Sequence, residues 1–193
     1  MNYKLLALVL LVLLLTLYAL TITSKRIRTG RMVVIVIMTA LSVVGRFIPF
    51  FKPIAALSII TGMYVSAGSG MMVGMLSVLI SNFYFGQGPW TPFQMLAFGL
   101  IGFLSGVLSK YLINNKPFLI IYSLFCGVAY SLIVDVWTVL WLGGGNLLEK
   151  YLATAVAAIP FTLVYAVSNV VYVLILNKPF GEKLLRMKIK YGI

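Results

Sequence analysis

Long apolar segments dominate this chain, and only short stretches of charged, proline and turn residues separate them. Because a hydrocarbon core about 30 Å thick is crossed by roughly 20 helical residues, runs of this length predict membrane-spanning helices. Seven segments follow one another, at about 3–23, 31–49, 54–67, 69–85, 92–113, 117–142 and 151–177. The third is short and only AGSG separates it from the fourth, so these two are predicted to form a tight hairpin buried among their neighbours.

The composition agrees with this pattern. Of the 193 residues, 62% are hydrophobic and 9% are charged, and the mean hydropathy is +1.10. These values lie outside the range of soluble globular domains. The expected fold class is therefore an all-α integral membrane protein.

The basic residues predict the orientation of the chain. There are 15 Lys and Arg residues against three acidic residues, and most of them stand at segment ends, which points to topology and not to a nucleic-acid partner. An N-terminus outside the membrane puts 11 basic residues on the cytoplasmic side and 4 on the other. We therefore expect the N-terminus outside and the C-terminus inside. The larger set is Lys25, Arg26, Arg28, Arg31, Lys110, Lys116, Lys178, Lys183, Arg186, Lys188 and Lys190, and the smaller is Lys4, Arg46, Lys52 and Lys150.

The first segment is open to two interpretations, a signal peptide or a retained helix. Its n-region has one lysine, no clear small-x-small cleavage site follows, and the cluster SKRIR comes after the apolar run. Basic residues in that position resist translocation, which favours a retained helix. The expected organisation is an additional N-terminal transmembrane helix with a basic loop (1–30), a membrane core (31–177) and a basic cytoplasmic tail (178–193).

Residues that carry enzyme chemistry are scarce. The chain has no histidine, no two carboxylates close in sequence and no G-x-x-x-x-G-K-[ST] phosphate loop. Its one cysteine, Cys126, excludes an internal disulfide and a cysteine metal cluster. We therefore expect no catalytic activity, no metal site and no ATP hydrolysis by this chain itself.

One outer loop combines stiffness with polarity. The stretch FGQGPWTP, residues 85–92, lies between the fourth and fifth segments. Its two prolines restrict the backbone, and its glycines permit tight turns or close approach of a ligand. Gln87 and Gln94 supply amide donors and acceptors, and Trp90 supplies a large ring with one N–H. An interfacial tryptophan is also a common membrane anchor.

Three more polar residues lie at a similar depth. Counting about 1.5 Å per residue from the cytoplasmic ends puts Arg46, Asn82 and Asp135 in the outer half of the membrane. Arg46 and Asp135 are the only charged residues well inside apolar segments, where a charge is costly. The sequence leaves two alternatives open for them, a mutual ion pair or contact with a ligand.

The sixth segment carries an aromatic stripe. Tyr130, Trp137 and Trp141 recur at helical spacing, which is typical of an interface belt or of packing, and which also suits the wall of an outward-facing cavity for a flat organic molecule. The GGGN that follows predicts a flexible outer loop with the potential to act as a lid. The candidate ligand-binding residues are Arg46, Asn82, Gln87, Trp90, Gln94, Asp135, Trp137 and Trp141.

Small residues recur at helical spacing in the fifth segment. Gly99, Gly102 and Gly106 form a strip that lets another helix approach closely, since lipid provides no hydrophobic drive for helix association. The strip serves either packing within this chain or docking of a separate membrane subunit. Gly70 and Gly74, in GSGMMVG, predict a second close-packing face rather than a nucleotide loop.

These features together resemble one family. The succession TALSVVGRFIPFFKP, a short apolar segment, SNFYFGQGPWTPFQMLAFGLIGFLSG and a basic tail is similar to the substrate-binding S-components of energy-coupling factor (ECF) vitamin transporters, over about residues 31–180. Stretch 81–106 is the most specific part. Within the family, the resemblance is greatest to the S-components assigned to cobalamin.

The resemblance implies a multi-pass protein of the bacterial cytoplasmic membrane with a six-helix core, preceded here by one extra helix. Such a subunit binds a vitamin from outside, has no cofactor of its own, and works with a transmembrane coupling subunit and two cytoplasmic ATPases. The family docks its coupling subunit through a small-x-x-x-small pattern on the first core helix. Here Ala40 is followed by Val44, so the second small residue is missing, and Ser42 or Gly45 stands as its substitute.

Other classes compete with this interpretation. A small secondary transporter needs coupling-ion groups and usually two related halves, whereas this chain has no internal repeat and one acidic residue inside the membrane. An uptake protein of the same fold that works without ATPases is a further alternative. A structural membrane subunit accounts for the glycine faces but not for the outer loop. The basic tail also predicts attraction to anionic lipid.

Overall fold

The computed structural model describes residues 29–49 and 52–191, together with the isolated positions 9, 12, 13 and 16. The predicted helix over 3–23 and the basic loop after it lie almost wholly outside these residues. The described part is all-helical and has no β-strand. Its helices are α1 (Thr29–Gly45), α2 (Ile54–Tyr64), α3 (Ala67–Phe85), α4 (Thr91–Val107), α5 (Ser109–Asn114), α6 (Lys116–Leu142) and α7 (Leu147–Tyr191).

Helix α2 is the centre of the bundle. It contacts α1, α3, α4 and α7, and every residue from Ile54 to Met63 is buried. An apolar helix of only 11 residues rises about 16 Å, too little to cross a membrane alone. Its hydroxyl groups are satisfied within the helix, because Ser58 and Thr61 donate to carbonyls one turn earlier. Although α2 is buried on all sides, the hydroxyl groups of these two side chains therefore have hydrogen-bond partners.

The predicted hairpin of two short segments is confirmed as α2 and α3, but its turn lies elsewhere. The chain reverses at Val65 and Ser66, and AGSG is the first turn of α3, not a linker. Ser66 caps α3, since its hydroxyl accepts a hydrogen bond from the Ser69 N–H at 3.2 Å. The small residues of AGSG are explained by packing, because Gly70 lies directly against Gly62 of α2.

Two other predicted boundaries are wrong. The segment 92–113 is broken at Leu108, whose non-helical dihedrals separate α4 from the short α5. The predicted tail, 178–193, is helical through Tyr191 as a continuation of α7, which tolerates Pro160 and Pro179 in its interior. The tail also packs on the bundle, because Gly181 lies against the Tyr64 ring and Leu184 is buried in the core cluster with Val34 and Leu57.

The bundle has two different ends. We name the loop end by residues 46–49, 52–53, 86–90 and 143–146, and the basic end by residues 65–66, 108–115 and 178–191. By length and composition, α3, α6 and α7 are long and apolar enough to cross a membrane, and α1, α2 and α4 are shorter apolar helices. Apolar side chains cover much of the exposed surface, including Val36, Phe125 and Phe161. The chain is thus an α-helical membrane protein.

Candidate functional site

A network of polar side chains ties four elements together at the loop end. Arg46, just after α1, donates from Nη1 to the Ser81 hydroxyl and, at 2.6 Å, to the Asn82 carbonyl oxygen on α3. Its guanidinium also lies over the Phe85 ring, 4.8 Å from the centroid. The Arg46 charge is therefore held in place by two polar groups and one aromatic face.

Asn82 extends the hydrogen-bond network to α4. It is 1% exposed, and its Nδ2 donates to Thr91 Oγ1 at 2.9 Å and to Gln94 Oε1 at 3.0 Å. Gln94 in turn donates to the Tyr130 hydroxyl on α6 at 3.3 Å. Both ends of the Asn82 amide are thus used, and the side chain connects α1, α3, α4 and α6.

The loop before α4 is hydrogen-bonded to this network. Gln87 donates to the Leu79 carbonyl at 2.9 Å and accepts from the Thr91 hydroxyl at 3.0 Å. Gly86 adopts φ 106°, a left-handed value that ends α3. At Gly88 a Cβ would overlap the Trp90 ring, so only glycine lets the loop fold onto that side chain. The loop is therefore shaped by specific contacts, as its prolines and glycines predict.

Aromatic rings form a cluster next to the polar network. Trp137 is buried, and its centroid lies 6.0 Å from Phe93, 6.3 Å from Trp90 and 5.7 Å from Trp141. Trp141 is the exposed member, at 58%. Tilted rings at these separations have favourable aromatic geometry. The three tryptophans predicted for the site thus lie together, at the mouth of the loop end.

Asp135 does not join the network. Its carboxylate makes no ion pair with Arg46, which was one of the two alternatives that the sequence left open. Arg46 instead donates hydrogen bonds to Ser81 and Asn82. Asp135 is 7% exposed, and its Oδ2 has no hydrogen-bond partner among the described residues. Its position on α6 is two residues before Trp137, about 200° around the helix, so the two side chains point to different sides.

Sequence reasoning missed some of the residues that build the site. Ser81 and Thr91 are network members with no charge or aromatic ring to draw attention to them, although both stand next to chosen positions. Tyr165 of α7 packs on Tyr130, with centroids 4.9 Å apart. Lys52 was counted only as a topological charge. For Ser81, the usable signal was its place one helical turn beyond Ser77 on the buried face of α3.

The small-residue strip on α4 is occupied by this chain itself. A Cβ at Gly102 would overlap the Gly70 carbonyl, and one at Gly106 would overlap the backbone of Ala67. Gly99 lies against Met75, whose Cγ would be 2.9 Å from an added Cβ. Internal packing is therefore the use that the contacts support, and a role of Gly99, Gly102 and Gly106 in a partner interface stays a prediction.

For Ala40 and Val44, the other predicted interface residues, the interface role stays a prediction. They line a groove of about 340 Å³ on the outer surface of α1 and α3, and Val44 is 68% exposed. The lining is almost wholly apolar, and its full set is Val36, Thr39, Ala40, Val43, Val44, Leu76 and Ile80. This surface is thus available to lipid or to another apolar helix.

Comparison of the chain with known protein families, with characterised proteins and with solved structures finds no match. The residues themselves define what the site can do. It offers amide and hydroxyl groups, two cations nearby and a wall of large rings, and the described residues contain no group of three His, Cys, Asp or Glu able to hold a metal ion. Such an arrangement is suited to the binding of an organic molecule.

Proposed function

We propose that this chain is the substrate-binding membrane subunit of an ECF-type vitamin transporter. In this role it takes a vitamin, with cobalamin as the best candidate, at the loop end from outside the cell. It delivers the vitamin inward when it is joined to a transmembrane coupling subunit and two ATPases. The observation that carries the proposal is the polar network from Arg46 to Tyr130, placed beside the tryptophan cluster at one end of a helical membrane bundle.

Preorganisation of the site supports a binding role. Arg46, Asn82 and Gln94 hold one another in fixed positions, so few side-chain torsions remain to be ordered when a ligand arrives. The rings of the half-buried Trp90 and the exposed Trp141, which both pack on Trp137, provide apolar surface for a large planar group. A corrinoid is large, flat and amphipathic, and it matches a wide aromatic mouth with few fixed charges.

The groove on α1 and α3 is the proposed contact for the coupling subunit. It contains Ala40 and Val44, the positions at which the family resemblance places that contact, whereas the glycines of α4 lie against α3 of this chain. Apolar helices in a membrane associate where side chains leave room for close approach. The small side chain of Ala40 provides such room.

A second candidate function has one observation in its favour. The buried Asp135 carboxylate, with an oxygen that lacks a partner, is the type of group that a proton-coupled secondary transporter uses. An uptake protein that works without ATPases would also need a driving force of this kind. Transport by proteoliposomes that contain only this chain, with and without a proton gradient, separates these candidates from an ATP-dependent subunit.

Ligand binding by the purified chain tests the main proposal. We expect cyanocobalamin to bind with a stoichiometry near one in detergent, and riboflavin, thiamine and biotin to bind much more weakly. Loss of the Trp90 ring should weaken binding by roughly 5- to 150-fold, since burial of a large side chain is worth about 1–3 kcal/mol. Gln94→Ala should also weaken binding. The dissociation constants follow from titration calorimetry, with folding checked by thermal melting.

The matched control is Phe83→Ala. Phe83 is an aromatic residue near the same end, 77% exposed and outside the tryptophan cluster. We expect its loss to leave the dissociation constant unchanged. Wild-type affinity in both Trp90→Ala and Gln94→Ala would show that the ligand does not bind at the loop. Tight binding of a small vitamin without any corrinoid binding would contradict the choice of cobalamin.

A further inference from the structure

Two cations converge on one pair of tyrosines at the loop end. Gly45 lies so close to the Pro53 ring that a Cβ would overlap it, and this contact brings the adjacent Arg46 and Lys52 to the same place. The Lys52 N–H donates to Ser168 Oγ on α7 at 3.2 Å, and its Nζ lies 6.0 Å from the Tyr165 centroid. The backbone thus holds the two basic residues near each other and near α7.

Tyr165 lies next to Lys52, and Tyr130 is connected to Arg46 through Gln94 and Asn82. The centroids of the two tyrosine rings are 4.9 Å apart. Tyr130 is buried, whereas Tyr165, Arg46 and Lys52 are each half-buried and so reach both the protein interior and its surroundings. The hydroxyl groups of the two tyrosines can donate hydrogen bonds to a ligand held near Arg46 and Lys52.

No acidic residue balances these charges. Among the described residues the one ion pair joins Arg186 and Glu182, at the opposite end. Asp135 pairs with neither cation, and Glu149 accepts from Asn146 in the turn after α6. Both hydrogen bonds that Arg46 donates among the described residues leave from Nη1, and no described residue accepts from Nε or Nη2. Within this part of the chain the site therefore carries uncompensated positive charge and donors without an acceptor.

We propose that Arg46, Lys52 and the Tyr165 hydroxyl form an oxyanion subsite that takes a phosphate or carboxylate group. Two neighbouring cations without a carboxylate partner attract an anion, and guanidinium donors that no described residue accepts from match the paired oxygens of such groups. The assignment of this anion to the transported ligand rests on the proposed function. The subsite itself does not, because its occupant is defined by charge and geometry alone.

Inorganic phosphate is the first probe. Purified protein in dodecyl maltoside is titrated with phosphate at constant ionic strength, with chloride as the balancing anion, and the melting temperature is recorded. We expect phosphate to raise the melting temperature of the wild type, and Lys52→Gln to raise the half-saturating phosphate concentration about tenfold or more, since a hydrogen bond to a charged group is worth at least that factor. Lys52→Arg should restore most of the effect.

Lys116→Gln is the matched control, because Lys116 is an exposed lysine at the basic end. It should respond to phosphate like the wild type. Among the described residues the Lys52 side chain has no hydrogen-bond partner, so Lys52→Gln is expected to fold, whereas Arg46→Gln removes network contacts. Equal responses of the wild type and Lys52→Gln to phosphate, or no response beyond that to chloride, would overturn the subsite.

Two further arms identify the source of the anion. A short-chain phosphatidylglycerol, titrated in place of phosphate, supports a lipid headgroup as occupant when it acts at lower concentration than phosphate and Lys52→Gln removes its effect. Cobinamide lacks the phosphodiester of cobalamin, so Lys52→Gln should weaken binding of cobalamin and not of cobinamide. A phosphate response without any corrinoid binding refutes the proposed function and leaves the subsite standing. Corrinoid binding that is indifferent to Lys52 leaves the proposed function standing and excludes the corrinoid as the source of the anion.

Discussion

At the scale of single residues, Asn82 has the largest number of side-chain partners in the network. Its amide accepts from Arg46 and donates to Thr91 and Gln94, and it is almost completely shielded from water. A buried polar group without a partner costs the whole of its desolvation. Removal of this one amide leaves three other side chains with unmade hydrogen bonds, so its effect should exceed that of a single bond.

We therefore expect Asn82→Ala to lower the free energy of unfolding by about 1–3 kcal/mol and to weaken ligand binding at the same time. Asn114→Ala is the control, because Asn114 is exposed and its amide donates only to the Lys110 carbonyl. That change should cost well under 1 kcal/mol. Thermal or denaturant unfolding in detergent measures both, and equal stability of the two variants would contradict a cooperative network.

The residues of the network were largely visible in the sequence, for a simple reason. A polar residue inside an apolar helix is energetically costly, and counting along each helix gives its depth, so the sequence predicts Arg46, Asn82 and Asp135 in the outer half of the membrane. Depth does not give direction around the helix. Asp135 has a suitable depth and nevertheless lies apart from Arg46, because helix rotation depends on which neighbours pack against α6.

At the scale of helices, glycines set the distances between α2, α3 and α4. Gly62, Gly70 and Gly102 meet backbone to backbone, and Ser105 fills the remaining space with a hydroxyl that donates to the Ile59 carbonyl at 3.1 Å. Close backbone contact of this kind is a main source of helix association in membranes. Even one added methyl group at the contact must push two helices apart.

Gly102→Ala should therefore be far more damaging than Gly99→Ala. The Cβ of the first would overlap the Gly70 carbonyl, which cannot move without its helix, whereas the Cβ of the second meets the flexible Met75 side chain at 2.9 Å. We expect Gly102→Ala to cost about 1–3 kcal/mol, the usual range for overpacking, and Gly99→Ala clearly less. Melting temperatures of the two purified variants provide the comparison, and equal losses would show that α4 is free to shift.

Helix boundaries were less predictable than helix existence. Six predicted segments correspond to helices of the described range, because long apolar runs leave the backbone no other way to satisfy its hydrogen bonds in lipid. The ends depended on tertiary contacts. AGSG looks like a turn by composition but is helical, since its glycines are needed for packing on α2 and α4. The tail is helical because Leu184 and Gly181 are held against the bundle.

At the scale of the whole molecule, the two ends differ in chemistry. The loop end holds the polar network and the tryptophan cluster, whereas the basic end exposes Lys110, Lys116, Lys183 and Arg186. An excess of basic residues marks the cytoplasmic face of a membrane protein. The distribution of charge therefore supports the proposed orientation, in which the site would face outward.

Cysteine labelling checks this orientation. Leu148→Cys lies near the start of α7, 65% exposed, and Lys190→Cys lies at the exposed end of the same helix. In intact cells, a membrane-impermeant maleimide should label the first, and the second only after permeabilisation. The unaltered chain is the control, because its one cysteine, Cys126, is buried and should stay unlabelled. Labelling of Lys190→Cys in intact cells would reverse the topology.

The burial of α2 has a consequence for the order in which the chain is built. A helix of 11 residues that is covered on every side has no stable position in lipid while its neighbours are missing. The Ser105 hydroxyl that bonds to its Ile59 carbonyl is synthesised 46 residues later. A nascent chain that stops before α4 therefore holds α2 only provisionally, as half of a hairpin with α3, and the centre of the finished bundle is among the last parts to settle.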